Sequence, residues 1–257
     1  MTAILRKALD LLDRGERVVI ATVIEKQGSA PRKVGAKMLV AGNGESHGTL
    51  GGGDLERVVI EEARKMIGED IKLKTNKYIL RSGEGLNMVC GGEVKVLFER
   101  ETPVPTLLII GAGHIAKPVA RMGGMLGFKV VVMDPNPKRA DFPEATQFVP
   151  ERVEKGLSKV KVTRDTYLVI CSGDHEYDEV ALRKLIGFDT AYKGLLASRS
   201  KAKFIFNNMI KDGVPEEHVR HVHAPIGLDI GAETPEEIAV SIMAEIIEIR
   251  RGAKRKE

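Results

Sequence analysis

Hydrophobic and polar positions follow two different rhythms along the chain, and the change falls near residue 100. Residues 4–12 place Ile4, Leu5, Ala8, Leu9, Leu11 and Leu12 at helical spacing, and Gly15 predicts the stop. Three β-rich stretches follow, at 17–25 (RVVIATVIE), 36–41 and 46–50. A second helix is predicted over 55–67, with Asp54 as its cap and Val58, Val59, Ala63, Met66 and Ile67 on one face. Strands over 72–80 and 93–99 close this region, which therefore reads as mixed α+β. The run RETPVP at 100–105 carries two prolines and predicts a boundary, with domains at 1–101 and 105–257.

Beyond the boundary the pattern becomes strand, helix, strand. LLII (107–110) is too short for a helix and suits a buried parallel strand. Gly111, Gly113 and Ala116 follow in G-x-G-x-x-A spacing. In that arrangement the first glycine permits a tight turn, the second admits a pyrophosphate and the alanine allows close helix packing. A helix is predicted over 115–126 and a second strand over 128–133, ended by Asp134 about twenty residues past the glycines, where a ribose-binding carboxylate is expected. Residues 135–150 read as irregular; strands are predicted at 167–171 and 192–197, and helices at 177–186 and 199–211. His221 and His223 alternate on a further predicted strand. The last helix is signalled by Thr234, Pro235 and Glu237, a capping box with proline at the first position. The fold class is α/β: a mixed α+β domain, then a Rossmann-like doubly wound parallel sheet.

Composition narrows the functions. The 257 residues carry a formal charge of +4, much of it clustered in the tail at Arg250, Arg251, Lys254, Arg255 and Lys256. A solvated terminus is the plainer reading of that cluster. There is no tryptophan and there are few other aromatics, so no nucleic-acid stacking platform is expected. No apolar run is long enough for a membrane span and no signal peptide is legible, which points to the cytoplasm. Cys90 and Cys171 fit no zinc-finger spacing.

Four loops carry the candidate chemistry. Gly28, Ser29 and Arg32 form a small-residue loop whose amides and guanidinium suit a phosphate, or else an ordinary turn. Gly51, Gly52 and Gly53 open a helix, with Glu56 in its first turns; an anion site and a tight connection explain them about equally. Cys90, beside Gly91 and Gly92, is either a thiolate ligand for a soft metal or a structural cysteine. The segment SGDHEYD (172–178) follows a strand, so Asp174, His175 and Asp178 could ligate a metal, move a proton or cap the helix. His114 sits inside the glycine fingerprint.

Together these stretches resemble the XdhC/CoxI family, the xanthine dehydrogenase accessory proteins. The resemblance rests on GSAPRKVGAKMLV (28–40), GTLGGGDLE (48–56), CGGEVKVLFE (90–99), LLIIGAGHIA (107–116), SGDHEYDEVAL (172–182), YKGLLASRSK (192–201) and HAPIGLDIGAETPEEIAVSIMAEII (223–247). It implies a cofactor-insertion chaperone, non-catalytic or weakly catalytic. Such a protein binds molybdenum cofactor, as molybdopterin or its dinucleotide, supports its sulfuration and inserts it into a xanthine dehydrogenase-type hydroxylase apoenzyme. A cysteine desulfurase partner and a homodimer are further expectations. By position, the cofactor-binding residues would be Gly28, Ser29, Arg32, Gly51, Gly52, Gly53, Glu56, Cys90, Gly91 and Gly92 in the first domain. In the second they would be Gly111, Gly113, His114, Asp134, His175, Asp178, Ser198 and Arg199, and Cys90 would contact the metal. The chain departs from the family pattern at Pro135-Asn136-Pro137 and at Ser172-Gly173. The competing reading from the Rossmann stretch alone is an NAD(P)-dependent oxidoreductase, and a third is a scaffold that only docks a hydroxylase.

Overall fold

The structure, a computed structural model, describes residues 2–28, 33–69, 71–80 and 92–253, with the backbone alone at His175. The chain divides into two compact units, Met1–Pro103 and Val104–Glu257.

The first unit runs α1 (Thr2–Asp13), β1 (Val18–Gln27), β2 (Lys37–Ala41), β3 (Ser46–Gly48), α2 (Gly53–Gly68), β4 (Leu73–Ile79) and β5 (Glu93–Glu101). Its five strands form an antiparallel sheet in the order β3-β2-β1-β5-β4. Val19, Ala21 and Val23 of β1 pack with Leu55, Val59 and Ala63 of α2, while Val18 joins Ala8 and Leu11 of α1. Both faces of β1 are therefore covered, which is why its sequence is a continuous apolar run and not an alternation. β5 does alternate: Val94, Val96, Phe98 and Arg100 are buried in turn. That alternation carries β5 through Glu101, so the first residues of RETPVP belong to the sheet. The cap expected from Asp54 is absent: Gly52 occupies the N-cap position, and Asp54 lies in the first turn beside Arg57 at 3.5 Å.

The second unit runs β6 (Thr106–Ile110), α3 (Ala116–Met125), β7 (Lys129–Met133), β8 (Gln147–Val149), α4 (Val153–Gly156), β9 (Thr166–Ile170), α5 (His175–Leu185), β10 (Tyr192–Leu195), α6 (Arg199–Lys211), α7 (Glu216–Arg220) and α8 (Pro235–Arg251). All its strand pairs are parallel, in the order β10-β9-β6-β7-β8. A parallel bridge from Gly194 to His223 adds a rudimentary sixth position beside β10. In chain order this is the 3-2-1-4-5-6 arrangement of a doubly wound sheet. Leu107, Ile109, Val130 and Val132 pack against α3 and α8; Leu108, Ile110, Val131 and Leu168 face α5 and α6.

Three features depart from the sequence pattern. β8 and α4 lie in or just beyond the stretch expected to be irregular, because three- and four-residue elements show no periodicity. The strand expected around His221 and His223 shrinks to the single bridge at His223. Five residues before His221 form α7.

The order reverses at β6, whose neighbours are β7 and β9. There Gly111 has φ +115°, and a Cβ on it would lie 2.5 Å from the Ser172 Cα and 2.8 Å from the Cys171 carbonyl carbon. Its role is thus to let two strand ends meet, in addition to the turn read from sequence. A Cβ on Gly113 would meet nothing within 4 Å. Gly111→Ala is expected to destabilise the protein by about 3 kcal/mol, and Gly113→Ala by less than about 1 kcal/mol, in urea unfolding.

A buried carboxylate ties the far side of this unit together. Glu245 of α8 accepts from the Tyr192 hydroxyl at 2.5 Å and from the Gly227 amide at 2.9 Å, and it meets His223 Nδ1 at 3.1 Å. Burial raises its pKa, but the bonds from His223, Tyr192 and Gly227 outweigh that and hold it below the ordinary carboxylate value. A depressed carboxylate stabilises the fold above its unfolded pKa and loses that contribution as pH falls through the folded value. Glu245→Gln should therefore cost about 1–3 kcal/mol at pH 7. The gap to wild type should close below about pH 4, read from urea midpoints against pH.

Candidate functional site

Strand registers bring the candidate loops of the first unit to one end of its sheet. β1 and β5 pair Gln27 with Glu93, so Gly28 and Gly92 stand one step beyond the same rung. β4 ends there too, with Ile79 opposite Glu93 and the Leu80 amide donating to the Gly92 carbonyl at 2.8 Å. β3 ends at the same side, since Gly48 pairs with Met38 near the start of β2. Gly28 and Gly92 thus leave the sheet together, while the triple glycine follows β3 on the same side of the sheet, at the rung of Met38 and Ala21. Ser29, Arg32, Cys90 and Gly91 lie outside the described residues, as does the tail beyond 253.

The triple glycine is organised by a carboxylate of the chain itself. Gly51, Gly52 and Gly53 all have positive φ, at 126°, 82° and 64°, a run that only glycine adopts without strain. One oxygen of Glu56 accepts from the Thr49 hydroxyl at 2.6 Å and from the amides of Leu50, Gly51 and Gly52 at 2.9, 3.2 and 2.8 Å. Burial raises the Glu56 pKa, but the Thr49 and amide hydrogen bonds prevail and lower it. The position that the sequence suggested for an external anion is therefore filled from within. Glu56 shapes the loop that a ligand meets.

In the second unit the candidates gather at the carboxyl ends of the parallel strands, where open α/β sheets bind ligands. Gly111, Gly113 and exposed His114 follow β6; half-buried Asp134 follows β7 and accepts the Asn136 amide at 2.8 Å. After β9, Asp178 is buried and accepts from the Ser172 amide at 3.0 Å and the Ser172 hydroxyl at 2.6 Å. Desolvation raises its pKa, against the pull of the Ser172 bonds. Asp174 is the α5 cap, accepting from the amides of Glu176 and Tyr177, which selects the capping role among those open in the sequence. The side chain of His175 lies outside the described atoms. Ser198 caps α6 by accepting from the Lys201 amide at 3.3 Å, and Arg199 is exposed and pairs with Asp229 at 3.3 Å. Cys171 is buried, and desolvation, then Asp178 and Asp134, push its thiol far above the ordinary range, so it stays protonated.

One residue of this edge is not signalled by the sequence patterns. Lys201, in the first turn of α6, has a buried Nζ with no hydrogen-bond partner among the described residues. Desolvation lowers its pKa while the charge of Asp174 opposes that. The one available signal is its place at the start of a helix that follows a parallel strand, where a buried ammonium needs an anion. Among the described residues no group of three His, Cys, Asp or Glu is placed to hold a metal ion, and no helix is long and apolar enough to cross a membrane.

Comparison with known proteins gives these units their relatives. Residues 107–246 match the XdhC Rossmann domain, and residues 11–75 match the XdhC and CoxI family. The uncharacterized protein YqeB of Escherichia coli is 35% identical over 97% of this chain, and the chain spans 47% of that relative's length. A Bacillus subtilis protein, named as a probable subunit of xanthine dehydrogenase, is 26% identical, covering 94% of this chain and 96% of the relative. A molybdenum cofactor insertion chaperone of Escherichia coli, PaoD, is 23% identical, covering 96% and 88%. A crystal structure described as a xanthine dehydrogenase from Bacillus halodurans shares the fold, with a TM-score of 0.54 at 24% identity over 96% of this chain and 97% of that one. With its Rossmann half matched over more than half of its length, the chain belongs to the XdhC and CoxI family.

Proposed function

We propose that the protein is a molybdenum cofactor chaperone, not an enzyme. In this reading it holds molybdopterin or the dinucleotide form, supports sulfuration of the metal centre with a cysteine desulfurase, and passes the cofactor to a xanthine dehydrogenase-type hydroxylase in the cytoplasm, acting as a homodimer. The observation that carries the reading is the meeting of the Gly28 and Gly92 strand ends at one rung of the first sheet, with the triple-glycine loop on the same side of that sheet. Such a cluster suits a large polar cofactor better than it suits a small substrate. The relative named as a molybdenum cofactor insertion chaperone supports the same assignment.

The chemistry follows from the residue types. The cofactor's molybdenum is soft enough to accept a thiolate. Cys90 supplies that thiolate, because Cys171 is buried and protonated. Arg32 pairs with a cofactor phosphate through its fork of donors. At the edge of the second sheet, Gly113 leaves open space beside the backbone and Lys201 offers an ammonium with no hydrogen-bond partner among the described residues. These two groups, with Gly111, His114 and Asp134, hold the phosphate or nucleotide end. Ser198 and Asp178 act by holding the loops around them. An NAD(P)-dependent oxidoreductase is the rival, favoured by Asp134 at the end of β7; it requires micromolar dinucleotide binding and turnover.

Mass spectrometry of small molecules released from protein made in a molybdenum-replete host is expected to find the pterin. Absence of the pterin, together with failure to raise the activity of an apo-hydroxylase, would sink the chaperone reading. Cys90→Ala should lower cofactor retention about tenfold, the cost of one charge-assisted contact, while Cys171→Ala leaves it within about twofold. Equal losses would remove Cys90 as the ligand.

A further inference from the structure

At the amino end of β10, away from the strand ends just described, lies a half-open cavity of about 450 Å³. Its walls come from the loop between α5 and β10, from Tyr192 and Lys193, and from His218, His221 and His223. Lys193 is only 9% exposed, yet its ammonium makes no hydrogen bond or ion pair with the described residues. Desolvation lowers its pKa, countered by the charge of Asp189. That carboxylate does not neutralise it at close range: its side chain is 77% exposed and turned to Arg164 at 3.2 Å. His223 is committed through Nδ1 to Glu245. The His218 and His221 imidazoles have no hydrogen-bond partner among the described residues. A nine-tenths-buried lysine and two unpartnered imidazoles thus line one cavity with donors and no close acceptor, an arrangement that suits an anionic ligand.

We propose that this cavity binds a small organic phosphate, its phosphoryl oxygens on Lys193, His218 and His221 and its organic part against the rings of Phe188 and Tyr192. Three imidazoles in one pocket invite a metal reading instead. No three metal-binding side chains among the described residues have the required placement, and the Lys193 ammonium repels a cation. The cavity exceeds what a bare phosphate fills, which leaves room for the organic part. The Tyr192 ring lies 4.8 Å from that of His223, so the wall is built from stacked rings. The pocket also reaches α8: Tyr192 and His223 both bond Glu245, which in turn holds Gly227. Occupancy therefore bears on the loop before α8. The site stands on residues separate from those assigned to the molybdenum cofactor and does not depend on that assignment.

The test is a titration of the full-length protein with inorganic phosphate and with phenyl phosphate, following the histidine C2–H resonances by NMR. The six histidines are assigned by single substitution to Gln. Phosphate should shift the His218 and His221 resonances saturably, and phenyl phosphate should bind more tightly because its ring meets Phe188 and Tyr192. Lys193→Gln should weaken both about tenfold, the loss of one charge-assisted contact. His221→Gln, at an exposed position, should weaken them about threefold without touching the core. The proposal is overturned if the resonances stay still, if either variant titrates as wild type, or if acetate at matched ionic strength produces the same shifts. Equal affinity for the two phosphates would overturn its organic part.

Discussion

The second unit depends on one backbone contact, the approach of Gly111 to Cys171 and Ser172. β6 and β9 are neighbours in the sheet but distant in the chain, and their carboxyl ends meet at the point where the order reverses. Any side chain at Gly111 would drive those ends apart. With them apart, Ser172 would leave Asp178, and the start of α5 would lose its place. The two turns pass this closely only because a glycine stands at position 111. Gly113, Asp134 and Lys201 lie on the turns and helix start that follow the strands of the same sheet.

The same logic recurs elsewhere with carboxylates as the organising groups. Glu56 gathers a hydroxyl and three amides onto one oxygen and so fixes a loop of consecutive positive-φ glycines. Glu245 gathers a phenol, an imidazole and an amide from three segments. Each buries charge that would be costly alone and is compensated by several donors. Each also depresses its own pKa in consequence, so both contributions are present at neutral pH and fade in acid. Asp178 is the contrast: two bonds from one serine do not offset its burial, and its pKa rises.

Much of the backbone geometry at the candidate site is legible in the sequence because glycine patterns encode it directly. The G-x-G-x-x-A turn, the capping box of Thr234 and Glu237, and the run of glycines at 51–53 can each be placed without coordinates. Glu245 is harder to see, although it interrupts the apolar stripe of Ile238, Ile242 and Ile249 on α8, and a lone acid on a core face is a readable signal. Lys193 and Lys201 escape sequence reasoning for a different reason. A lysine is ordinarily a solvated residue, and only the folded surroundings show that Lys193 is nine-tenths buried and that the Lys201 ammonium has no hydrogen-bond partner among the described residues.

The sequence alone determined the class of each half, the Rossmann turn, the limits of the long helices and the family resemblance, because these rest on local periodicity and on residues with restricted backbone freedom. Tertiary structure decided what the candidates face. It assigned the triple-glycine amides to Glu56, made Asp174 a cap, buried Cys171 beyond reactivity and set Gly28 beside Gly92 through the Gln27–Glu93 rung. It also enclosed Lys193 with histidines from a different segment. Such outcomes depend on pairings between residues far apart in the chain, and no local pattern carries the register or the desolvation that results.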